Sequence, residues 1–189
     1  VCGGRFSAPE FIIENGETAM TLSSLPLFEV EYAGRQITKE NEDYCGDSVS
    51  FAESDEGYSY CFICDGMGSG REAALTARIC RIFLEKMLAC GNKKSTTLEM
   101  LNMIIAGKGV ECFATVDLLE VDLMLGTASF IKSGAMPSYV IRGESLFKIA
   151  SSTAPIGIMP RLVAEMTEFE GTIRYHGMKM GQKLREIFF

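Results

Sequence analysis

The chain has 189 residues and a formal net charge of −7, with 25 Asp and Glu residues against 18 Lys and Arg residues. This length suits one domain with a sizeable core. The acidic balance argues against a nucleic-acid groove and against binding to an anionic membrane surface. The sequence has no run of about 20 apolar residues that would predict a membrane span, and no signal-peptide pattern opens it.

Seven cysteines are spread irregularly along the chain. Their odd number and their positions inside apolar runs indicate buried free thiols in a reducing compartment rather than a disulfide framework. Cys61 and Cys64 form a C-x-x-C pair in a predicted strand, where their odd separation sends the two side chains to opposite faces. No second pair follows at zinc spacing, so a zinc site is not expected there.

The first part of the chain predicts a connection, a strand and a hairpin. Residues 1–27 are rich in Gly, Pro and small residues and indicate a connection from an upstream region. The alternating FEVEYAGRQIT at residues 28–38 predicts a strand. Two apolar-rich runs then flank the turn-like SDEG sequence at residues 54–57, which predicts a β-hairpin.

The register of this hairpin determines which acidic residues meet. With the turn centred near Glu56, Val49 lies opposite Ile63 and Asp47 lies opposite Asp65. Residues directly opposite in an antiparallel pair share a face of the sheet. Asp47 and Asp65 are therefore expected side by side at the open end of the hairpin, and a slip of one residue would separate them.

Two helices are predicted after the hairpin. Ser69-x-x-Glu72 and Thr96-x-x-Glu99 fit capping boxes, and the glycines at 91 and 107 are the expected helix ends. Apolar residues follow each box at helical spacing and are expected to pack against a sheet. They are Leu75, Ile79, Ile82, Phe83 and Met87 in the first helix, and Leu98, Leu101, Ile104 and Ile105 in the second.

The last part of the chain predicts strands and sets the fold class. From Phe113 onward, four short apolar-rich runs separated by turn signals predict an antiparallel meander. Asp117 and Asp122 lie in the first run, where alternation points them outward, to a structural or solvated role. Strands, two adjacent helices and more strands indicate an α+β fold with helices covering a sheet. The basic tail at residues 171–189 shows no continuing strand pattern and indicates a short helix or a segment foreign to the domain.

The stretch CFICDGMGSGREAAL at residues 61–75 ends an apolar run in Asp65 and then places three glycines at alternate positions. A Walker phosphate loop requires Lys followed by Ser or Thr at the helix start, where this chain has Arg71 and Glu72. A dinucleotide loop requires G-x-G-x-x-G on a βαβ unit, and both the spacing and the hairpin context differ. A tight turn with Asp65 as a capping residue stays open as an alternative.

The interpretation that explains both acidic residues is a metal site. The carboxylates of Asp47 and Asp65 are hard oxygen ligands that suit magnesium or manganese. Glycine at position 66 lets the backbone come close, so that its carbonyl can join the ligands. Two neighbouring carboxylates also repel each other unless a cation or a proton lies between them.

Three stretches together carry a resemblance to a known family: CGDSVSF at 45–51, ICDGMGSGREA at 63–73, and SGAMPSYVIRG with SSTAPIGIM at 133–143 and 151–159. They resemble the bacterial branch of the metal-dependent serine/threonine protein phosphatases, the protein phosphatase 2C-like family, and within it the sporulation phosphatases. The combination is specific, whereas each stretch alone is weak. The resemblance covers about residues 28–170. It implies an αββα sandwich of antiparallel sheets flanked by helices.

The resemblance also implies a centre of two manganese or magnesium ions and the residues that hold them. Asp47 matches the first acidic position, Asp65 matches the aspartate that bridges both metals, and Gly66 matches the residue whose carbonyl is a ligand. The glycine loop that follows is shaped by Gly68, Ser69 and Gly70. The implied mechanism is activation of water by two metals for attack on a phosphoserine, with Asp47 and Asp65 as the catalytic residues.

The implied substrate is a phosphorylated anti-sigma-factor antagonist, whose dephosphorylation activates a sporulation sigma factor. The resemblance further implies a cytoplasmic domain and an upstream membrane anchor in the intact protein, and it leaves a homodimer as one option. Neither a nucleic-acid partner nor a membrane span within this chain is expected.

The chain departs from the family at its C-terminal end. The family supplies two more metal-binding aspartates, in a Ser-Asp-Gly motif and in a late Asp-Asp-Met-Thr type segment, and this sequence contains neither. Residues 28–170 are therefore interpreted as a partial domain, incomplete at its C-terminus. The alternative function is a catalytically incomplete phosphatase-like module that regulates or binds, with weak affinity for manganese.

Overall fold

The computed structural model of the chain describes residues 5–38, 42–108, 112–170, 174–177 and 185–188. Eleven strands and two helices lie within these residues. In chain order they are β1 Glu10–Glu14, β2 Glu17–Thr21, β3 Asp47–Glu53, β4 Tyr58–Gly66, α1 Gly70–Ala89, α2 Lys94–Ala106, β5 Ala114–Asp122, β6 Thr127–Ser133, β7 Ser138–Arg142, β8 Ser145–Ile149, β9 Glu165–Glu170, β10 Arg174–Gly177 and β11 Arg185–Phe188. No helix in this part of the chain is long and apolar enough to cross a membrane.

The molecule is built in three layers. A five-stranded antiparallel sheet has the strand order β3-β4-β5-β6-β9, and a four-stranded sheet has the order β11-β10-β7-β8. One apolar cluster joins the helices to the five-stranded sheet, and a second joins the two sheets. The predicted α+β class and the antiparallel sandwich with helices on its flank are thus confirmed. In the described part of the chain, both helices lie on the five-stranded sheet.

Strands β4 and β5 lie in the middle of the five-stranded sheet and bury both of their faces. Phe62 and Leu118 point to the helices, whereas Cys61 and Leu119 point to the second sheet. This is why both strands are apolar almost throughout, and full burial of each large side chain contributes about 2–3 kcal/mol. Cys64 lies on the helix side, so Cys61 and Cys64 occupy opposite faces as predicted.

Helix α1 packs through a face that overlaps only part of the predicted stripe, of which Ile79 and Phe83 pack against the core. Leu75 and Ile82 of the predicted stripe are exposed, by 46% and 38% respectively. The residues that are buried are smaller near the helix start: Ala73, Thr76, Ala77, Cys80, Leu84 and Leu88. Small side chains at positions 73 and 77 let the first turns of the helix lie close to the sheet. In α2, Leu98, Leu101 and Ile105 are buried as expected, and Ile104 is exposed.

The helix ends match the sequence better than the helix starts. Helix α1 stops one residue before Cys90, and Gly91 follows with a φ of 76°; Gly107 is the residue after α2. Ser69 precedes α1 as predicted, but its side chain forms no capping hydrogen bond. The second predicted capping box is wrong, because α2 already begins at Lys94 and Thr96 lies inside it.

Two segments near the N-terminus differ from the prediction. Residues 28–38 form no regular strand, and instead they pack against the inter-sheet cluster, where Tyr32 stacks on Phe51 with ring centroids 4.4 Å apart. The N-terminal connection contains a hairpin, β1–β2, that was not predicted. Its turn places Asn15 and Gly16 at φ values of 54° and 85°, the conformation that makes Asn-Gly a hairpin signal.

The C-terminal part adds strands to both sheets. The predicted meander forms as β5 to β8, but β7 and β8 belong to the second sheet, and β9 pairs with β6. Two tail segments form strands of the second sheet: 174–177 pairs with β7, and 185–188 pairs with 174–177. The prediction that the tail contains no strand is therefore wrong for these segments. The rest of the tail lies outside the described residues.

Candidate metal centre

The hairpin β3–β4 has the register that the sequence predicted. Asp47 pairs with Asp65, and Val49 pairs with Ile63. The turn is closed by a hydrogen bond from the Gly57 amide to the Ser54 carbonyl, and Gly57 adopts a φ of 84°. The two aspartates are therefore direct neighbours on one face, at the end of the hairpin farthest from the turn.

The two carboxylates lie in different surroundings. Asp47 is 4% exposed, and its Oδ2 lies 3.9 Å from the Cys45 thiol. The Gln36 amide donates a hydrogen bond to the Asp47 carbonyl, which ties the preceding loop to the edge strand β3. Asp65 is half-buried. Two adjacent carboxylates of this kind favour a bound cation, because the cation offsets their mutual repulsion.

Gly66 lies under helix α1 and cannot carry a side chain. A Cβ atom at this position would lie 2.0 Å from the Ala73 carbonyl oxygen, far inside van der Waals contact. The Gly66 amide donates to the Gly46 carbonyl at 3.0 Å, which extends the strand pairing by one residue. A Cβ on Gly46 would lie 3.6 Å from the Gly66 carbonyl oxygen and 3.8 Å from Asp65 Oδ1, so both oxygens border the space beside Gly46.

The glycines of the following loop serve its backbone conformation. Gly68 and Gly70 have φ values of 100° and 72°, and no atom lies within 4 Å of a Cβ at either position. The left-handed conformation, and not lack of space, is therefore what favours glycine there. Ser69 between them is extended, with a φ of −141°, and leads the chain into helix α1.

A loop from the second half of the chain supports the same end of the sheet. Ala114 pairs with Gly66 on one side, and it exchanges two backbone hydrogen bonds with Ile156 on the other. The Asn102 side chain accepts from the Gly157 amide at 2.9 Å and donates to the Met159 carbonyl at 3.0 Å. Sequence reasoning missed this role of Asn102, because a polar residue inside a helix does not show what lies opposite it.

A buried ion pair lies on the face of the sheet that carries the two aspartates. Lys132 Nζ contacts Asp117 Oδ2 at 2.6 Å, Ser138 Oγ at 2.6 Å and the Met136 carbonyl at 2.9 Å. Ser138 also donates to Asp117 Oδ2. The outward orientation predicted for Asp117 is therefore wrong, because the second sheet covers that face. Asp117 pairs with Ile63 in the sheet, two positions from Asp65, and Lys132 already occupies its carboxylate.

Asp122 has the structural role that the sequence predicted. Its carboxylate accepts hydrogen bonds from the backbone amides of Met124 and Leu125 at 2.8 and 2.9 Å. It therefore shapes the turn between β5 and β6. This turn lies at the end of β5 opposite to Ala114, the residue that pairs with Gly66, so Asp122 is not placed to bind a metal with Asp65.

Cys64, the residue before Asp65, is excluded as a nucleophile or a thiolate ligand. Burial raises the pKa of the Cys64 thiol well above its ordinary value. A neutral thiol is a poor nucleophile and a poor metal ligand. Its side chain also points to the helices, away from the two carboxylates.

The donor atoms at this end of the hairpin suit a divalent ion. Carboxylate and carbonyl oxygens from Asp47, Asp65 and Gly66 are the ligands that magnesium and manganese prefer. The described residues contain no group of three or more His, Cys, Asp or Glu side chains placed to hold a metal. The centre therefore fits the chemistry of a divalent ion but supplies only part of the ligand set of a two-metal site.

Comparison with known proteins gives consistent matches. The family model for stage II sporulation protein E (SpoIIE) matches residues 55–173, a range that includes Asp65 and Gly66 and begins after Asp47. The stage II sporulation protein E of Bacillus subtilis (strain 168) is 29% identical over 153 residues, which are 80% of this chain and 18% of that protein. The one from Priestia megaterium is 33% identical over 115 residues, 60% of this chain and 20% of that protein. The chain thus spans about a fifth of these curated relatives.

Solved structures confirm the fold. The structure of the PP2C phosphatase domain and a fragment of the regulatory domain of SpoIIE from Bacillus subtilis matches with a TM-score of 0.76 and 25% identity, over 90% of this chain and 52% of that one. RsbX in complex with magnesium matches with a TM-score of 0.64 and 16% identity, over 79% and 77% of the two chains, which shows the shared fold alone. The resemblance inferred from the sequence stretches is therefore confirmed.

Proposed function

The chain belongs to the stage II sporulation protein E family, and from that premise we propose that it contributes to a metal-dependent protein serine phosphatase. The observation that carries the proposal is the pairing of Asp47 with Asp65 directly beside the constrained backbone of Gly66. Hydrolysis of a phosphoserine requires a site that holds the phosphoryl group and offsets its charge, and this end of the hairpin presents the oxygen donors for such a site.

Each residue has a separate part in the proposed centre. Asp47 and Asp65 would hold the metal through their carboxylates, and Gly66 would contribute its carbonyl oxygen. Manganese or magnesium bound there would make water a nucleophile at neutral pH and offset the charge on the phosphoryl group. Magnesium in the structure of RsbX supports a divalent ion for this fold. Helix α1 lies over Gly66 and leaves no room for a side chain there.

We further propose that the substrate is a phosphorylated anti-sigma-factor antagonist, so that the reaction activates a sporulation sigma factor. The support is membership in a family whose members from two bacilli are stage II sporulation proteins. The nucleophile is water and no covalent phosphoenzyme forms, in agreement with the raised pKa of the neighbouring Cys64 thiol.

The test is manganese-dependent phosphate release from a phosphoserine protein. Asp65→Asn should abolish release, because it removes a charged ligand and should lower manganese affinity at least about ten-fold. Asp55→Asn is the matched control, since Asp55 is exposed in the turn at the other end of the same hairpin. Phosphate release that survives Asp65→Asn would overturn the proposal, as would equal losses in the two variants.

A second candidate is a module that binds phosphoproteins without hydrolysing them. It is favoured by the two-carboxylate centre, because the described residues group no third acidic, histidine or cysteine ligand with it. Calorimetric titration with manganese separates the two candidates. Tight binding of two ions supports the phosphatase, whereas weak binding together with retained phosphopeptide binding supports the module.

A further inference from the structure

A polar cleft runs along the outer edge of strand β3, beside the candidate metal centre. Its volume is about 520 Å³. The loop before β3 forms one wall with Tyr44 and Cys45, and helix α1 forms the other. Asp47, one of the two paired aspartates, lies in the cleft wall and is 4% exposed.

Two arginines of α1, Arg78 and Arg81, form the positive wall of this cleft. They lie three residues apart and therefore on the same side of the helix. Arg81 is held in place, because its Nη1 contacts Glu85 Oε2 at 2.6 Å and Glu85 in turn accepts from Ser50 on β3 at 3.1 Å. Arg78 is exposed, and among the described residues it makes no ion pair.

We propose that this cleft binds the stretch of substrate protein next to the phosphoserine and that Arg78 selects an acidic residue there. The inference rests on the proposed function for the placement of the phosphoserine at Asp47. A guanidinium group presents paired N–H donors that match the two oxygens of a carboxylate, and a charge-assisted pair of this kind is selective as well as attractive.

The net charge of the chain determines where an acidic substrate segment can bind. A net charge of −7 repels an acidic segment from most of the surface. Arg81 of the α1 wall is paired with Glu85, and Asp43 and Asp47 also line the cleft, so the exposed Arg78 is the cation of this wall that can receive an acidic residue. The cleft also follows the edge of the sheet, because among the described residues β3 has a neighbouring strand on one side only. An extended segment of substrate would lie along that edge with its phosphoserine at the carboxylate end.

The experiment measures binding of a fluorescein-labelled peptide that carries one phosphoserine flanked by glutamates. A second peptide has glutamines in place of the glutamates. Fluorescence anisotropy with the full chain and manganese gives both affinities at low and at moderate salt. Wild-type protein should prefer the acidic peptide, and the preference should weaken as salt rises. Arg78→Gln should weaken binding of the acidic peptide by about two- to five-fold, because Arg78 is exposed, and should leave binding of the glutamine peptide unchanged.

Lys86→Gln is the matched control, since it removes the same charge from the same helix outside the cleft, where the 74% exposed Lys86 side chain makes only a solvent-screened contact with Glu85 at 3.5 Å. It should leave the preference intact. Equal effects of Arg78→Gln and Lys86→Gln would overturn the proposal, as would equal weakening of both peptides by Arg78→Gln or no measurable binding of the acidic peptide to wild-type protein.

The same set of proteins separates this proposal from the proposed phosphatase function. If no phosphate is released but the preference for the acidic peptide depends on Arg78, the proposed role of the cleft is supported and the proposed phosphatase function is refuted. If phosphate is released and Arg78→Gln changes the affinity for neither peptide, the phosphatase function is supported and the proposed role of the cleft is refuted.

Discussion

Replacement of Lys132 by Met should destabilise the fold strongly, because it leaves a buried carboxylate without its cation. Lys132 is 1% exposed and donates to Asp117, Ser138 and the Met136 carbonyl, with all three distances between 2.6 and 2.9 Å. Removal of one partner from a buried ion pair costs about 3–5 kcal/mol. Methionine has a similar shape, so a cavity adds little. We therefore expect a loss of about 3–5 kcal/mol, which is a large part of the stability of an ordinary domain.

Urea unfolding followed by far-UV circular dichroism measures this loss. The double variant Asp117→Leu with Lys132→Met removes both charges and should recover most of the stability, since apolar replacement of a buried pair is often neutral. Lys86→Met, at a highly exposed position, is the control and should change the free energy of unfolding by less than about 0.5 kcal/mol. A loss below about 1 kcal/mol for Lys132→Met, or a double variant no more stable than the single one, would refute the reasoning.

Other predictions concern the glycine under α1 and the buried thiols. Gly66→Ala should cost about 1–3 kcal/mol in urea unfolding, because its Cβ would lie 2.0 Å from the Ala73 carbonyl; an unchanged midpoint contradicts this. At pH 8 a thiol probe should modify exposed Cys90 much faster than Cys80, whose pKa burial raises from 9.0 to about 12. The folded state therefore keeps the Cys80 proton to a higher pH than the unfolded state does. The contribution of Cys80 to the free energy of unfolding is fully present below pH 9 and falls by up to about 1.4 kcal/mol per pH unit between pH 9 and 12. Cys80→Ala should show a smaller alkaline loss.

The candidate centre could be predicted from the sequence because the information that positions it is local. The SDEG turn and the alternation of apolar residues on both sides fix the register of β3 and β4, and the register places Asp47 beside Asp65. A slip of one residue would have moved the apolar residues of β3 to the wrong face and separated the two aspartates. No contact with a distant part of the chain is needed for this argument.

The buried faces of α1 and β5 could not be predicted in this way, since they depend on what each element packs against. Helix α1 has apolar residues on more than one side, and the small residue Ala73 decides which side can approach Gly66. For β5, Asp117 and Asp122 lie five residues apart and therefore on opposite faces, so alternation cannot point both outward, and the second sheet turns the face of Asp117 into an interior. The partner cation, Lys132, comes from the next strand and gives no signal in the sequence around Asp117.

The N-terminal hairpin is missing from the sequence prediction for a different reason, because its signal is present in the sequence. Asn15-Gly16 is a strong indicator of a two-residue hairpin turn, and both residues adopt positive φ values. The flanking strands are exposed along almost their whole length. Without a buried face they lack the clear alternation that normally identifies a strand, so the turn residues alone carried the signal.

The contacts that hold the residues of the candidate metal centre explain why substitutions can separate the two candidate functions. The sheet sets the positions of Asp47 and Asp65, whereas Gly66 is held by three elements at once: the Gly46 carbonyl, helix α1 and strand β5. Asp65→Asn therefore changes the chemistry and leaves the packing intact, while Gly66→Ala moves α1 and with it the arginine wall of the cleft. A phosphatase should lose phosphate release in both variants. The preference for the acidic peptide that depends on Arg78 should survive the first variant and weaken in the second.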